Sequence, residues 1–434
     1  MLNKVKYIYD LVPKSYLGFL KNVPDPILFG NSYSKTRPNF DRALLKENVT
    51  NLLVYSRAHT EYGRDNIPNK FHREEALDIL EHLPLTSSSD VSSNFEYFIS
   101  DEYDTRNSYI TTTGGTGRNP CDILLANSSF GIEWRHMHSI WNFAVYSRKK
   151  NIKLTLRGKT VARGKLFEFN PIYNELVVDT FKLNRSNFLD LYREIVRLSI
   201  RFVHGYPSLV KEFMYYCQEN NLTLKFDGIF LGSEGASIDF KNTLSSYFGA
   251  KVVHWYGQTE KLVLAVDEGA NDEFRVFTSY GLPRVVNGEL VGSSFVNRAL
   301  PLINFKTGDG AELLEKGESL YIKNLSGRWG KDFVYLNKEK KIPTSSINLH
   351  SEIQSQIIFM QIIQAKYGSL VIKIVPKNKG DNQILLNKIY NELKSKLKDF
   401  ELDLITTNVL DIERSHRGKM LMLVQNIKDL GKNK

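Results

Sequence analysis

Cysteine is almost absent from this 434-residue chain, which holds only Cys121 and Cys217. Two cysteines so far apart build neither a disulfide framework nor a four-ligand zinc site. Long apolar runs are absent too. No window approaches the roughly 18 uninterrupted apolar residues of a membrane-spanning helix, so no span is expected. The opening Met1-Leu-Asn-Lys-Val-Lys-Tyr-Ile-Tyr-Asp10 lacks an extended apolar core and a small-residue cleavage site. No secretory signal is therefore expected, and a reducing, cytoplasmic setting fits best. Acidic residues are in deficit: 48 Asp and Glu stand against 58 Lys and Arg, a net charge of +10. The basic residues are scattered without a block of about five or six. That pattern suits a solvated basic surface better than a nucleic-acid tract, which would interleave aromatics with a basic run.

What is present is an ordinary globular composition, 42% hydrophobic and 24% charged. The length suits two or three domains. Residues 1–100 are expected to be mainly helical, with a helix over Phe40–Tyr55 and a polar loop over Ser87–Ser93. From about 105 to 325, β-rich runs alternate with helical ones. Phe226–Leu231 and Lys251–Tyr256 read as buried strands, with a helix from Ile238 to Tyr247 between them. Strand–helix–strand of this length is a βαβ unit with a parallel sheet. After about 328 the texture changes to a compact α+β unit. Helices are expected over Ser351–Gln364 and Gln383–Leu397, and strands over Leu370–Val375 and Leu402–Thr407. The expected fold is α/β. A large domain spanning 1–328 has parallel or mixed sheets with flanking helices, and a small mobile domain spans 329–434. Lys428–Lys434 is expected to fray.

Five segments carry chemistry. Thr111-Thr-Thr-Gly-Gly-Thr-Gly-Arg-Asn-Pro120 follows a predicted strand. Its glycines let backbone N–H groups approach an anion, and its hydroxyls add donors. It is no Walker A loop, because no Gly-Lys-Ser/Thr closes it. Trp255-Tyr-Gly-Gln-Thr-Glu260 lies at the carboxyl end of a predicted strand, where open α/β sheets bind ligands. Its ring can stack on a purine, its hydroxyl can hold a phosphate, and its carboxylate can hold Mg²⁺. Phe305-Lys-Thr-Gly-Asp-Gly310 puts an aspartate on a tight turn, suited to a pair of ribose hydroxyls. Leu325-Ser-Gly-Arg-Trp-Gly-Lys-Asp-Phe-Val334 marks the change of texture, and Ile412-Glu-Arg-Ser-His-Arg-Gly-Lys-Met-Leu-Met422 sets a lysine in a loop. Taken singly, each is also compatible with an ordinary surface turn.

In order and spacing these segments resemble the adenylate-forming superfamily of acyl-CoA synthetases, adenylation domains and luciferases. The branch they are most similar to is the phenylacetate-CoA ligase family with its capsule-biosynthesis relatives. Leu156-Arg-Gly-Lys159, His204-Gly-Tyr-Pro-Ser208 and Leu231-Gly-Ser-Glu-Gly-Ala236 extend the resemblance, which runs from about 105 to 420. It implies a nucleotide site. Thr112, Thr113, Gly114, Gly115, Thr116 and Gly117 would close over the β- and γ-phosphates. Ser233, Glu234, Gly235 and Ala236 would line adenine, and Tyr256, followed by Gly257, would stack on it. Thr259 would touch the α-phosphate, Glu260 would bind Mg²⁺, and Asp309 and Arg328 would hold ribose. Lys419 would be the catalytic lysine, and Lys331 or Asp332 the hinge. Trp134, Arg135, His136 and His138 would shape the acid pocket. His136 and His138, at i and i+2, do not share a helix face and make a poor metal pair.

The implied reaction uses ATP and Mg²⁺ to make an acyl-AMP and then passes the acyl group to an acceptor. CoA is the first choice. The alternative is an amino group on a sugar or amino acid in surface polysaccharide biosynthesis, and a catalytically silent nucleotide- or glycan-binding homologue is the third reading.

Overall fold

The computed structural model describes residues 22–112, 121–159, 161, 164–327, 333–344, 347, 349–354, 356–378, 380, 382–415 and 418–427. A twelve-stranded mixed sheet forms the centre. Five of its strands run parallel and side by side: Glu175–Asp179, Lys153–Lys159, Phe202–Gly205, Gly228–Gly232 and Lys251–Gly257. Phe202–Gly205 and Gly228–Gly232 are buried at every position. Strands covered on both faces read as continuous apolar runs, and that is why the second of these was legible as Phe226–Leu231. The helices Pro207–Glu219 and Ile238–Phe248 connect them. Pro207 opens the first of these, where its missing N–H costs nothing, and the Ser237 hydroxyl caps the second by accepting from the Phe240 amide.

At Lys251–Gly257 the sheet changes character. Leu264–Asp267 pairs with it antiparallel, and every further pairing on that side is antiparallel, out to Gly281–Val286 at the edge. The parallel half thus ends where the Trp255–Glu260 segment leaves the sheet. Helices from Leu45 to Phe98 pack beside the antiparallel half, and Ser108–Thr112 and Asp122–Ala126 form a separate antiparallel pair.

Beyond Phe333 lies a four-stranded sheet in the order Glu401–Thr406, Ser369–Pro376, Ile357–Lys366, Leu423–Gln425. The helix Gln383–Lys396 buries Leu385, Ile389 and Leu393 against it, giving this unit a core of its own with Ile362, Ile372 and Phe400. Its opposite side is not bare. Ile358, Val375, Val409, Ile412 and Met420 join the core of the parallel half.

Two expectations about local structure fail. Ser351–Gln364 is not one helix, because only Ser351–Gln354 is helical and Ile357–Lys366 is a strand. Four isoleucines fall in Ile357–Lys366, and β-branched side chains favour the pleated sheet there over the helix. Ser87–Ser93 is not a plain loop either. Ser88–Ser93 is helical, with a reciprocal capping box between Ser87 and Asp90.

Candidate active site

The carboxyl ends of the parallel strands collect most of the chemistry-bearing segments. Gly232 pairs with Trp255, so Ser233 and Tyr256 leave adjacent strand ends. Tyr256 donates from its hydroxyl to Asp309 Oδ2 at 2.7 Å. Burial raises the Tyr256 phenol pKa, and the Asp309 charge raises it further, so the phenol stays a donor. Asp309 is fixed by its turn. Gly308 has φ +78°, a left-handed conformation that favours glycine, and its amide donates to Glu289 Oε1. The Asp309 amide donates to Thr307 Oγ1.

Gly257 ends the strand. Thr259 and Glu260 then sit in the turn that follows, closed by Gln258 Oε1 accepting from the Val263 amide at 3.1 Å. The Gln258 amide nitrogen is buried without a hydrogen-bond partner among the described residues. The Glu260 charge also reaches Cys121, whose thiol burial chiefly pushes up. Cys121 directly follows the glycine-rich segment, so Glu260 faces the root of that segment. Thr112, at the other root, donates to Asp122 Oδ1 at 2.8 Å. Thr113, Gly114, Gly115, Thr116 and Gly117 lie outside the described residues, as do Arg328, Lys331 and Asp332.

Lys419 reaches this place from the far end of the chain. Its Nζ donates to the Ser233 carbonyl at 2.5 Å and lies 5.4 Å from the Tyr206 ring centroid. Its loop is tightly seated. Gly418 has φ +75°, and a Cβ there would stand 2.4 Å from Gly158 Cα. Gly418 is buried and Lys419 half-buried, so this is not an ordinary surface turn. Sequence reasoning gave no role to Tyr206, Gly158 or Arg157, although all three stand in segments it singled out. Arg157 also lies against Tyr206, 5.6 Å from the ring centroid.

Ser233 has φ +69° and turns the chain sharply at its strand end. The Glu234 carboxylate turns toward a helix start. Its Oε2 accepts from the Ser208 amide at 3.0 Å, at the start of the helix Pro207–Glu219, where backbone donors lack intrahelical partners. Its Oε1 is buried without a partner among the described residues, and burial raises its pKa against the opposing pull of Lys419 and Arg414. Gly235 and Ala236 follow in the same turn. A Cβ on Gly235 would meet nothing within 4 Å, which leaves open space there for a ring.

The helix Asn127–Asn142 carries the four residues expected at the acid pocket, and the structure separates them. His136 is fully buried. Its ring nitrogens contact the Ile132 carbonyl and Ser279 Oγ, both at 2.9 Å, and burial lowers its pKa to about 4. Both nitrogens are thus engaged within the protein. Trp134 stacks on Tyr173 with centroids 4.9 Å apart, and Arg135 lies over Tyr33. His138 Nδ1 pairs with the Tyr33 hydroxyl at 2.7 Å, while its Nε2 is buried without a partner among the described residues.

Among the described residues no group of three or more His, Cys, Asp or Glu could hold a metal ion. A lone carboxylate such as Glu260 suits Mg²⁺ arriving with nucleotide phosphates, because Mg²⁺ keeps several waters and takes one or two carboxylates. Among the described residues no helix is long and apolar enough to cross a membrane.

No family model matches the chain. Protein CapK of Staphylococcus aureus is 22% identical over 280 residues, covering 60% of this chain. The match spans 61% of that relative's length. A solved 2-hydroxyisobutyryl-CoA ligase in the postadenylation state with 2-HIB-AMP is 14% identical, with a TM-score of 0.64. It covers 88% of this chain and 89% of its own. The GH3.15 acyl acid amido synthetase is 11% identical, covers 88% of this chain and 91% of its own, and has a TM-score of 0.57. The chain shares the α/β fold of these two solved structures.

Proposed function

We propose that the protein activates a carboxylic acid with ATP as an acyl-AMP, releasing pyrophosphate, and then transfers the acyl group to CoA. The observation that carries this reading is the meeting of Lys419 with Ser233, beside the Tyr256–Asp309 pair, at the carboxyl ends of the parallel strands. These residues come from four distant parts of the chain, and packing alone does not call for a lysine, a phenol and a carboxylate at one strand edge.

The roles follow from chemistry. Asp309, fixed by Tyr256, accepts from ribose hydroxyls. The open side of Gly235 and Ala236 takes adenine. Thr259 and the glycine-rich segment donate to phosphate oxygens. Lys419 stabilises charge that develops between the attacking carboxylate and the α-phosphate, an effect strongest in a preorganised site. Glu260 would hold Mg²⁺, which supplies charge neutralisation on the phosphates when bound. The unit from 329 onward is the moving part in this reading, hinged at Lys331 or Asp332, and it withdraws Lys419 before acyl transfer.

An amine acceptor is the second reading, and the likeness to an acyl acid amido synthetase favours keeping it. The test is pyrophosphate release over a panel of carboxylic acids, first without an acceptor and then with CoA or with amines. Release of ADP and phosphate instead would replace the adenylate by an acyl phosphate. Faster turnover with amines than with CoA would select the amide ligase.

A further inference from the structure

The Lys419 loop is anchored at a second point, which no nucleotide role explains. Arg414 lies five residues earlier. Arg414 and Met420 form an antiparallel bridge, the Ser415 amide donates to the Lys419 carbonyl, and the Lys419 amide donates to Ser415 Oγ. The two basic residues therefore move together. Arg414 Nη2 donates to Glu212 Oε2 at 3.2 Å. Glu212 stands on the helix Pro207–Glu219, in the parallel half of the molecule. The side chains of this pair are only 9% and 3% exposed, so the ion pair is sealed between the two units. The second Glu212 oxygen accepts from the Tyr216 hydroxyl at 2.9 Å.

The surroundings add a second attraction and few alternatives. Glu234, the residue after Ser233, is drawn electrostatically to both Arg414 and Lys419. Arg414 Nη1 is buried without a partner among the described residues, which leaves Glu212 as the carboxylate that holds the guanidinium by a hydrogen bond. Separating the units would leave the Glu212 carboxylate without its countercharge, and breaking a buried pair costs far more than losing an exposed one. The ion pair thus favours the one arrangement that sets Lys419 on Ser233.

We propose that Arg414, held by Glu212, is the positioning residue that docks the Lys419 loop for adenylation and must be released before acyl transfer. The proposal rests on the adenylate-forming reading, and its test separates the two. Arg414→Gln removes the charge while keeping a polar chain of similar reach. Arg414→Lys keeps the charge, and the single hydrogen bond to Glu212 is within a lysine's geometry. Arg414→Gln should slow acid-dependent pyrophosphate release about tenfold or more. It should leave acyl transfer from chemically made acyl-AMP within about twofold of wild type, because a docked loop is not required there. Hydrogen–deuterium exchange of the peptide 412–421 should rise in Arg414→Gln and not in Arg414→Lys, and Arg414→Lys should restore most of the adenylation rate. Equal loss of both half-reactions, unchanged exchange, or an Arg414→Lys that behaves like Arg414→Gln would each overturn the proposal. If the wild-type protein makes no acyl-AMP from any acid, the adenylation reading falls. The exchange comparison then decides by itself whether the pair docks the loop.

Discussion

Replacing Lys419 by alanine removes a side chain that ties the Ile412–Met422 segment to the strand ends. The structure fixes two magnitudes. The first is the stability of the charged hydrogen bond from Nζ to the Ser233 carbonyl, made by a half-buried side chain that also lies over the Tyr206 ring. Such a bond contributes about 1 kcal/mol once solvent exposure is discounted, so the fold should persist with a small drop in Tm. The catalytic effect should be larger. Removing one preorganised charge from a transition state slows it by about 10²-fold or more, or about 3 kcal/mol in the barrier. The assay separates the half-reactions: acid-dependent exchange of pyrophosphate into ATP reports adenylation, and acyl transfer from synthetic acyl-AMP reports the second step. Adenylation should fall and transfer should survive. Equal loss in both would refute the withdrawal of Lys419 between steps, and no loss in either would leave Lys419 without a catalytic part.

Glu260→Gln should weaken Mg²⁺-dependent turnover, since an amide supplies no anionic charge to a hard cation, and Asp309→Ala should chiefly raise the apparent KM for ATP. Wild-type kinetics in both variants would move the nucleotide elsewhere. Limited proteolysis should cut most readily between the two units, at about residues 328–345, and ATP with acid should change the rate. Equal resistance with and without them would count against domain rotation. Stability should fall with acid between about pH 6.5 and 4. Burial lowers the pKa of His136 and His254 from 6.5 to about 4. The unfolded chain therefore binds protons first as pH drops, costing at most about 3 kcal/mol per histidine. Glu212 and Glu234, raised by burial, act in the opposite sense at the acid end. His136→Gln should flatten the decline in Tm, and a wild-type Tm level from pH 7 to 4.5 would contradict it.

One βαβ unit of the parallel half was legible in the sequence because buried strands and amphipathic helices leave unbroken patterns. Phe226–Leu231, Ile238–Tyr247 and Lys251–Tyr256 fall within a few residues of the observed elements. Misreadings came where one pattern suits two structures. The apolar run over Ile357–Lys366 has no partner visible in sequence, and only pairing with Ser369–Pro376 and Leu423–Gln425 makes it a strand. Local order and spacing were enough to name Tyr256, Asp309 and Lys419 as candidates. They could not show that the Tyr256 phenol holds Asp309, that Glu234 turns away to cap a helix, or that His136 is spent on Ser279. Those facts depend on pairs 53, 26 and 143 residues apart, which no window of sequence contains. The Glu212–Arg414 pair spans 202 residues and exists only because the chain beyond Phe333 packs on the parallel half. Periodicity in a chain records which face of an element is buried, and tertiary packing decides what that face meets.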